Sequence, residues 1–589
     1  MSEYSDIEKG YIKDYISGNL VKATPEEIES VQVFSKILVE DYGYPKKCIQ
    51  TRPQFRVKVR PSDTKKEYPV DIAVFNTENK DEHSIKIIVE CKKKTRKDGL
   101  SQLKNYMTFS EAELGVWFNG NEKLFIRKYI KNGKVYFTEI PNIPNFGQRI
   151  EDVGNFKRKN LKPATNLKSI FKTIRNYLAA NVVGATRDEI LAQQLINVIF
   201  CKIYDEKFTK ENDMVTFRAG IDETPKDVAV RIKNLFKIVK EKYDDVLDFS
   251  DDISLDEDSI LYIVGELQQY CLKDSSRDAI GDAFEVFIGN ALKGEKGQFF
   301  TPRNVVKMIV SIVDPGVNDR ILDPACGSGG FLIESLKYVW EKVTARGREL
   351  KWPENEIENE KQKVAIKNFR GVDKDYFLGK VAKAYMSLLG DGRGGIYCEN
   401  TLFNPTLWKK KTQLEIKLES FDVVLTNPPF GAKLPVEGEE TLKQYEFGYQ
   451  WKHNKNSWEK GKLKEKEAPQ ILFIERCLQL LAPGGKLGIV LPDGILGNDK
   501  LGYIREHLIN SARILAIIDI PIETFMPHTS TKTSVMILQK YKTNEVPPAD
   551  YKIFMAIAET CGHNRRGDTI DDDDILKIPQ LYREWKQNG

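Results

Sequence analysis

The chain has 589 residues, of which 41% are hydrophobic and 30% charged, and a formal net charge of +4. At roughly 150 residues per domain there is room for about four structural units, and the balance excludes a disordered chain, a collagen-like fibre and a polytopic membrane protein. A net charge this close to zero means that any nucleic-acid surface must be local. Residues 1–155 open on PEEIESVQVFSKILVEDYGYP, whose apolar positions have helical spacing and stop at Gly43-Tyr44-Pro45. YPVDIAVF, IKIIVEC and LGVWFNG read as strands, and LFIRKYIKNGKVYFTEI reads as a hairpin turned at Asn132-Gly133. The polar stretch 156–166 reads as a linker. Residues 165–290 read as a helical domain, with Ile170, Phe171, Ile174, Tyr177 and Leu178 recurring at three-to-four spacing. From 291 to 560 strand, turn and helix alternate, which predicts a mostly parallel sheet with ligands at the carboxyl ends of its strands. Within it, 432–468 is charged, aromatic and too long for a plain connection, so it reads as a functional lid or a disordered loop. Residues 561–589 carry little signal and read as a carboxy-terminal tail, a candidate subunit contact. The fold class expected is therefore α/β multidomain.

The eight cysteines are scattered singly with no CxxC pair, which argues against a disulfide framework or a zinc ribbon and fits a reducing cytoplasm. No apolar run approaches the roughly 18–20 residues of a membrane span. The opening MSEYSDIEKGYIKDY is mixed in charge, unlike a signal peptide. A cytoplasmic protein with no membrane association is expected. No G-x-x-x-x-G-K-[ST] occurs, so no ATP motor is expected in this chain.

The run Asp323-Pro324-Ala325-Cys326-Gly327-Ser328-Gly329-Gly330-Phe331 follows the apolar RIL and precedes a helical pattern. Its small residues let a ligand approach the backbone closely; the plainer reading is an ordinary glycine turn. Gly371-Val372-Asp373 puts an acid at the next strand end, where carboxylates commonly grip ribose hydroxyls. Glu399-Asn400 ends a third candidate strand and could touch a purine amino group. The decisive tetrad is Asn427-Pro428-Pro429-Phe430 after FDVVLT. Two prolines fix the backbone and leave its carbonyls without local donors. The Asn oxygen and a carbonyl can then accept both hydrogens of an exocyclic amine, and Phe430 can stack on an extruded base.

The order GQFFTP, DPACGSGGF, GVD, NPPF, GGKLGIVLPDGIL resembles the gamma arrangement of DNA adenine-N6 methyltransferases, and especially the modification subunit of type I restriction systems. The resemblance covers about 280–540 and implies a Rossmann-like class I methyltransferase using S-adenosylmethionine. It implies that Phe300, Thr301 and Pro302 close over the methionine moiety, that Asp323 and Gly327 line its amino-acid end beside Pro324, Ala325 and Gly329, and that Asp373 holds the ribose. Asn400 or Glu399 would face the adenine. Phe525, in IETFMPHTSTKTSVMIL, would flank the flipped base.

Nearer the amino terminus, Asp71 lies in one strand pattern and Glu90-Cys91-Lys92 ends the next. Strand alternation puts Glu90 and Lys92 on one face. Two carboxylates and a lysine at adjacent strand ends would make a compact oxygen site for Mg²⁺; the plainer reading is an amphipathic hairpin. Lys92, Lys93, Lys94, Arg96 and Lys97 read as a local phosphate-binding patch. The arrangement is similar to PD-(D/E)xK nucleases, most of all to the nuclease domain of type I restriction subunits. Gln102 and Tyr106 reproduce the Q-x-x-x-Y of that group, and the resemblance implies an additional acid and metal ligand in the first helix, Glu26 or, preferred, Glu27.

A nuclease domain (1–155), a helical domain (165–290) and a methyltransferase (291–560), with no space for a target-recognition domain of about 150 residues, resemble the catalytic A subunit of type IIB (BcgI-like) restriction-modification systems. That implies a bifunctional subunit in a hetero-oligomer with a separate specificity subunit. It would methylate adenine in double-stranded DNA and cleave it as a Mg²⁺-dependent type II endonuclease. The alternative is a type I-like methyltransferase subunit whose amino-terminal domain only binds DNA or a partner.

Overall fold

The computed structural model describes residues 10–588 except 59–66, 165, 183–187, 244–246, 274, 276–300, 390–394, 432–434, 456, 527–528 and 567. It divides into two compact units, one of Met1–Val239 with Asp252–Phe287, the other of Lys240–Asp251 with Ile288–Gly589.

The first unit is built on a six-stranded sheet. Its elements are α1 (Gln32–Glu40), β1 (Ile49–Gln50), β2 (Ile72–Phe75), β3 (Ile85–Cys91), α2 (Leu100–Thr108), β4 (Leu114–Phe118), β5 (Lys123–Lys131) and β6 (Lys134–Ile140), in sheet order β6-β5-β4-β3-β2-β1. The strands β3 and β4 are parallel, with α2 as their crossover; the other pairs are antiparallel. β2 and β4 are buried along their whole length, so they form the core of the sheet. Phe34 and Leu38 of α1 cover one face and Leu103 and Met107 of α2 the other. Asn132 and Gly133 both have positive φ, 52° and 72°, the conformation a two-residue hairpin turn requires. The helices α3 (Leu167–Asn181), α4 (Asp188–Phe208), α5 (Pro225–Lys242) and α6 (Glu257–Leu267) follow. The sheet and this helical region, separate in the sequence pattern, share one compact unit because polar ties cross between them. Asn142 Nδ2 donates to Gly265 O at 2.9 Å, and Lys123 pairs with buried Glu266 at 2.7 Å.

The second unit holds an eight-stranded mixed sheet. Its elements are α7 (Arg303–Val313), β7 (Ile321–Asp323), α8 (Gly330–Glu349), β8 (Phe369–Asp373), α9 (Tyr376–Leu389), β9 (Gly395–Cys398), β10 (Phe421–Thr426), β11 (Tyr449–Asn454), β12 (Ser457–Leu463), α10 (Pro469–Leu480), β13 (Leu481–Pro492), α11 (Gly502–Ser511), β14 (Ala512–Ile520), β15 (Thr533–Lys540), β16 (Phe554–Ile557) and α12 (Ile578–Gln587). The sheet order is β9-β8-β7-β10-β13-β15-β14-β16, and only β15 runs antiparallel to both its neighbours. Apolar residues of α7, α8 and α12 cover one face; those of α10 and α11 cover the other. The last residues thus belong to the core: Ile578 and Tyr582 are buried with α7 and β16, a packing their short amphipathic stretch does not announce.

Of segment 432–468, expected to be a lid or a disordered loop, the described residues include paired strands. Val436–Glu437 pairs with Lys466–Glu467, and between them β11 and β12 form an antiparallel hairpin. Among the described residues no helix is long and apolar enough to cross a membrane.

Candidate functional site

The carboxyl ends of β7, β8, β9 and β10 open into one cavity of about 500 Å³, within the ~300–1,000 Å³ range of small-molecule sites. Asp323 ends β7, and the chain then turns through Pro324–Gly329 into α8. The turn needs glycine at two places, since Gly327 and Gly329 have φ of 51° and 88°. Asp323 is buried, and its Oδ1 accepts from Ala325 N at 3.1 Å. Burial pushes its carboxyl up to about 8. Asp373 ends β8; its Oδ2 accepts from Gly327 N and its Oδ1 from Asp375 N, each at 2.8 Å. Burial again dominates and raises its pKa to about 6. These bonds tie the acid of the second strand to the glycine turn of the first. Thr401 Oγ1 adds a tie from the third, donating to Pro324 O at 2.6 Å.

The tetrad after β10 lines the same cavity. Pro428 is buried; Asn427, Pro429 and Phe430 are half-buried. Asn427 Nδ2 donates to Thr301 Oγ1 at 2.9 Å. Asn427 Oδ1 is buried and has no hydrogen-bond partner among the described residues. An orphaned acceptor of this kind costs about 1–3 kcal/mol unless a ligand satisfies it. Phe430 stands edge-on to Phe525, with ring centroids 6.2 Å apart at 80°. Phe525 is itself buried and does not line the cavity; it backs Phe430.

Other nominated residues fall as follows. Glu399 and Asn400 line the cavity, but Glu399 Oε1 accepts from Lys409 N at 2.7 Å and Asn400 Oδ1 from Leu402 N at 3.1 Å. Pro302 caps α7 and Gly329 caps α8; neither lines the cavity. Phe300 lies outside the described residues. Lys374, Leu378, Leu402, Phe403 and Pro435–Glu437 also line the cavity, and sequence reasoning did not nominate them. The signal available for the first two was their position just past the strand-end acid Asp373.

A raised carboxyl pKa has a definite sign for stability. The folded chain keeps a proton on Asp323 that the unfolded chain has lost, so this stabilisation is complete below the ordinary value of 3.8 and disappears as pH rises toward about 8. Asp323→Asn, which cannot ionise, is expected to flatten the fall in melting temperature of the ligand-free protein between those pH values. A profile unchanged by the substitution would contradict it.

In the first unit, Asp71 precedes β2 and its Oδ2 accepts from Cys91 N at 2.7 Å. Glu90 is buried and paired with Lys92 Nζ. Burial raises Asp71 to about 6; burial, then the charge of Asp71, raises Glu90 to about 7. Burial works to lower Lys92, but the bond to Glu90 and the surrounding carboxylates outweigh it and its pKa is raised. Gly99 has φ of 104°, a conformation that favours glycine, and a Cβ there would also crowd the Lys92 side chain. Gln102 Nε2 donates to Tyr106 OH at 2.6 Å on α2.

Of the expected magnesium ligands, Asp71 and Glu90 lie close enough for each to act on the other, whereas Glu27 is engaged elsewhere. Glu27 is buried against Gln32, whose Nε2 donates to it at 2.7 Å, and pairs with Arg52. Glu26 is instead the first-helix carboxylate whose charge acts on Asp71, Glu90 and Lys92. Among the described residues no group of three or more His, Cys, Asp or Glu side chains is placed to hold a metal ion. Asp71, Glu90 and Lys92 come together, and nothing among the described residues confirms that they hold magnesium. The basic run is also largely neutralised: Lys92 pairs with Glu90, Lys94 with Glu29, Arg96 with Asp98 and Lys97 with Glu122.

Residues 275–589, a little over half the chain, match the family described as N-6 DNA Methylase. The chain belongs to the N-6 DNA Methylase family. Residues 25–144 match the family described as type I restriction enzyme R protein N terminus (HSDR_N). This N-6 DNA methylase is 26% identical over 367 residues to the EcoEI type I restriction enzyme methylase subunit of Escherichia coli, covering 62% of each chain. It is 24% identical over 482 residues to the MpnII type I restriction enzyme methylase subunit of Mycoplasma pneumoniae, covering 79% of each. A chain from a structure of a type I R-M system shares the fold, with a TM-score of 0.50 at 20% identity, over 72% of this chain and 85% of that one. The N-6 DNA methylase thus spans about 62% of the length of its Escherichia coli relative.

These likenesses correct one expectation. Eight curated relatives are type I methylase subunits, and the reading as a type II endonuclease does not stand. The R-protein likeness spans the stretch that holds Asp71, Glu90 and Lys92.

Proposed function

We propose that this chain is the methyl-transferring subunit of a type I-like restriction-modification assembly. It transfers a methyl group from S-adenosylmethionine to adenine N6 in double-stranded DNA, while a separate specificity subunit reads the sequence. The observation that carries this reading is the unpaired, buried Oδ1 of Asn427, in one cavity with the Asp323–Phe331 turn and Asp373.

The cavity suits the cofactor chemically. Asp323 and the glycine turn would take its amino-acid end, Asp373 its ribose hydroxyls, and Asn400 its adenine. When bound, the cofactor supplies an electrophilic methyl carbon on a sulfonium. Asn427 Oδ1 and the Pro428 carbonyl accept the two amino hydrogens of the target adenine, which keeps the nitrogen lone pair available for attack. As the nitrogen–carbon bond forms, the sulfur–carbon bond breaks and the extra amino proton leaves to water. Extruding the base costs a few kcal/mol; stacking on Phe430 returns roughly 1–3 kcal/mol. Phe525 fixes the pitch of that ring.

The amino-terminal domain, in this reading, binds DNA or a partner and does not hydrolyse DNA. Support comes from the lack, among the described residues, of a group of three or more metal-ligating side chains and from the engagement of Lys92 by Glu90. The purified assembly with tritiated S-adenosylmethionine is expected to label DNA; label confined to RNA or protein would reject the reading. With Mg²⁺ present, wild type and Asp71→Ala are expected to leave DNA equally intact. Cutting by wild type that Asp71→Ala abolishes would overturn the binding-only role.

A further inference from the structure

The excursion between β10 and α10 starts and finishes on the cavity. Pro435, Val436 and Glu437 line it on the way out; Pro469 and Phe473 line it on the way back. Gln470 Oε1 also accepts from Gly431 N at 3.3 Å, next to the tetrad. Between these ends stands the hairpin β11–β12, about 20 Å long at ~3.3 Å per residue.

One side of the hairpin is held down by aromatic packing. Trp451 stacks on Tyr503 of α11, with centroids 5.7 Å apart and planes 6° apart. Trp458 meets the same ring at 5.6 Å, and no room exists for a side chain at Gly502 beneath it. Trp451 Nε1 donates to Glu446 O at 3.0 Å. Lys460 pairs with Glu446, and Lys464 with Glu467. The hairpin is therefore braced at its base.

The other side is exposed and basic. Residues 449–463 carry four lysines and one glutamate. Lys452, Lys455 and Lys462 are exposed and make no ion pair among the described residues. Lys452 alternates away from Trp451 and His453, Lys455 sits at the turn, and Lys462 lies in the bulge opposite Gln450. Other exposed residues of the hairpin include Gln450, Asn454 and Ser457, which are uncharged hydrogen-bonding groups, and Glu459, which stands directly across from Lys452, so the hairpin is basic by net charge and carries this one acid. A braced hairpin of net positive charge, carried by an excursion whose two ends line the cavity, has the composition of a phosphate contact.

We propose that the hairpin Tyr449–Leu463 is a backbone-gripping arm, which holds the phosphates flanking the target base while that base occupies the cavity. This rests on the DNA-methylating reading above. The test is K452E/K462E, with K452Q/K462Q as the milder pair, in the full chain purified with its partner and titrated with a short random-sequence duplex. Duplex affinity at about 0.1 M salt is expected to fall roughly tenfold or more, and the salt slope to drop by roughly 2 for the two lost contacts. Binding of S-adenosylmethionine and the melting temperature should stay at wild-type values. If wild type methylates DNA but the variants bind duplex with unchanged affinity and slope, the arm is overturned and the methyltransferase reading stands. Dissociation of the partner in place of duplex would make the hairpin a subunit contact and likewise overturn the proposal. A wild-type assembly that methylates no DNA overturns the underlying reading, and the arm with it.

Discussion

Asn427→Ala is expected to lower methyl transfer about 10²–10³-fold, the scale of losing one preorganised polar group at a reacting centre. The substitution removes the acceptor that polarises the target amine and also frees Thr301 Oγ1, its partner at 2.9 Å. Cofactor binding should change little, because the Asp323 and Asp373 loops hold each other through Gly327 N. Stability should not fall, since the lost oxygen is buried and unpaired in the ligand-free protein. Single-turnover transfer to DNA, set beside equilibrium binding of S-adenosylmethionine, separates these effects. Near-wild-type transfer by Asn427→Ala would remove the role assigned to the tetrad.

The second large effect is expected at Arg476 on α10, which is 1% exposed. Its guanidinium donates to Tyr445 OH at 2.9 and 2.6 Å, to Phe403 O at 3.2 Å and to Gln444 Oε1 at 3.1 Å. Tyr445 OH in turn donates to Leu402 O at 2.7 Å. One buried cation therefore joins the base of the excursion to the loop after β9, whose Leu402 and Phe403 line the cavity. Arg476→Met keeps the apolar stem and strands these acceptors, at a cost of about 3 kcal/mol. Melting temperature should drop by several degrees, and affinity for S-adenosylmethionine should fall with it as the loop loosens. Tyr445→Phe, which removes one hydroxyl, should cost about 1 kcal/mol. A melting temperature unmoved by Arg476→Met would show that the network is not needed to order the loop.

Strand-terminal motifs were readable from the chain alone because each is local. Asp323–Phe331, Asp373 and Asn427–Phe430 each follow an apolar run, and a parallel sheet delivers successive strand ends to one edge. Asn132-Gly133 was readable for the same reason, since two adjacent positive φ angles are a property of the turn itself. Side-chain partnerships between distant segments were not readable. Whether Glu26 or Glu27 faces Asp71 depends on a π-helical turn over Glu27–Val31 and on Arg52, far along the chain. The apparent phosphate patch at 92–97 loses charge to Glu90 and Asp98, close by in the chain, and to Glu29 and Glu122, which distant segments supply.

By itself, the order of residues determined the local chemistry: a glycine turn after one strand, an acid after the next, and an amide held between a strand and two prolines. Only the tertiary structure decided that α12 closes the core, that residues 435–468 build a braced hairpin, and that Asn427 Oδ1 is left without a donor. The reason is physical. Backbone preference and apolar period act over a few residues, whereas burial and charge neutralisation depend on which distant groups the completed fold brings within about 4 Å.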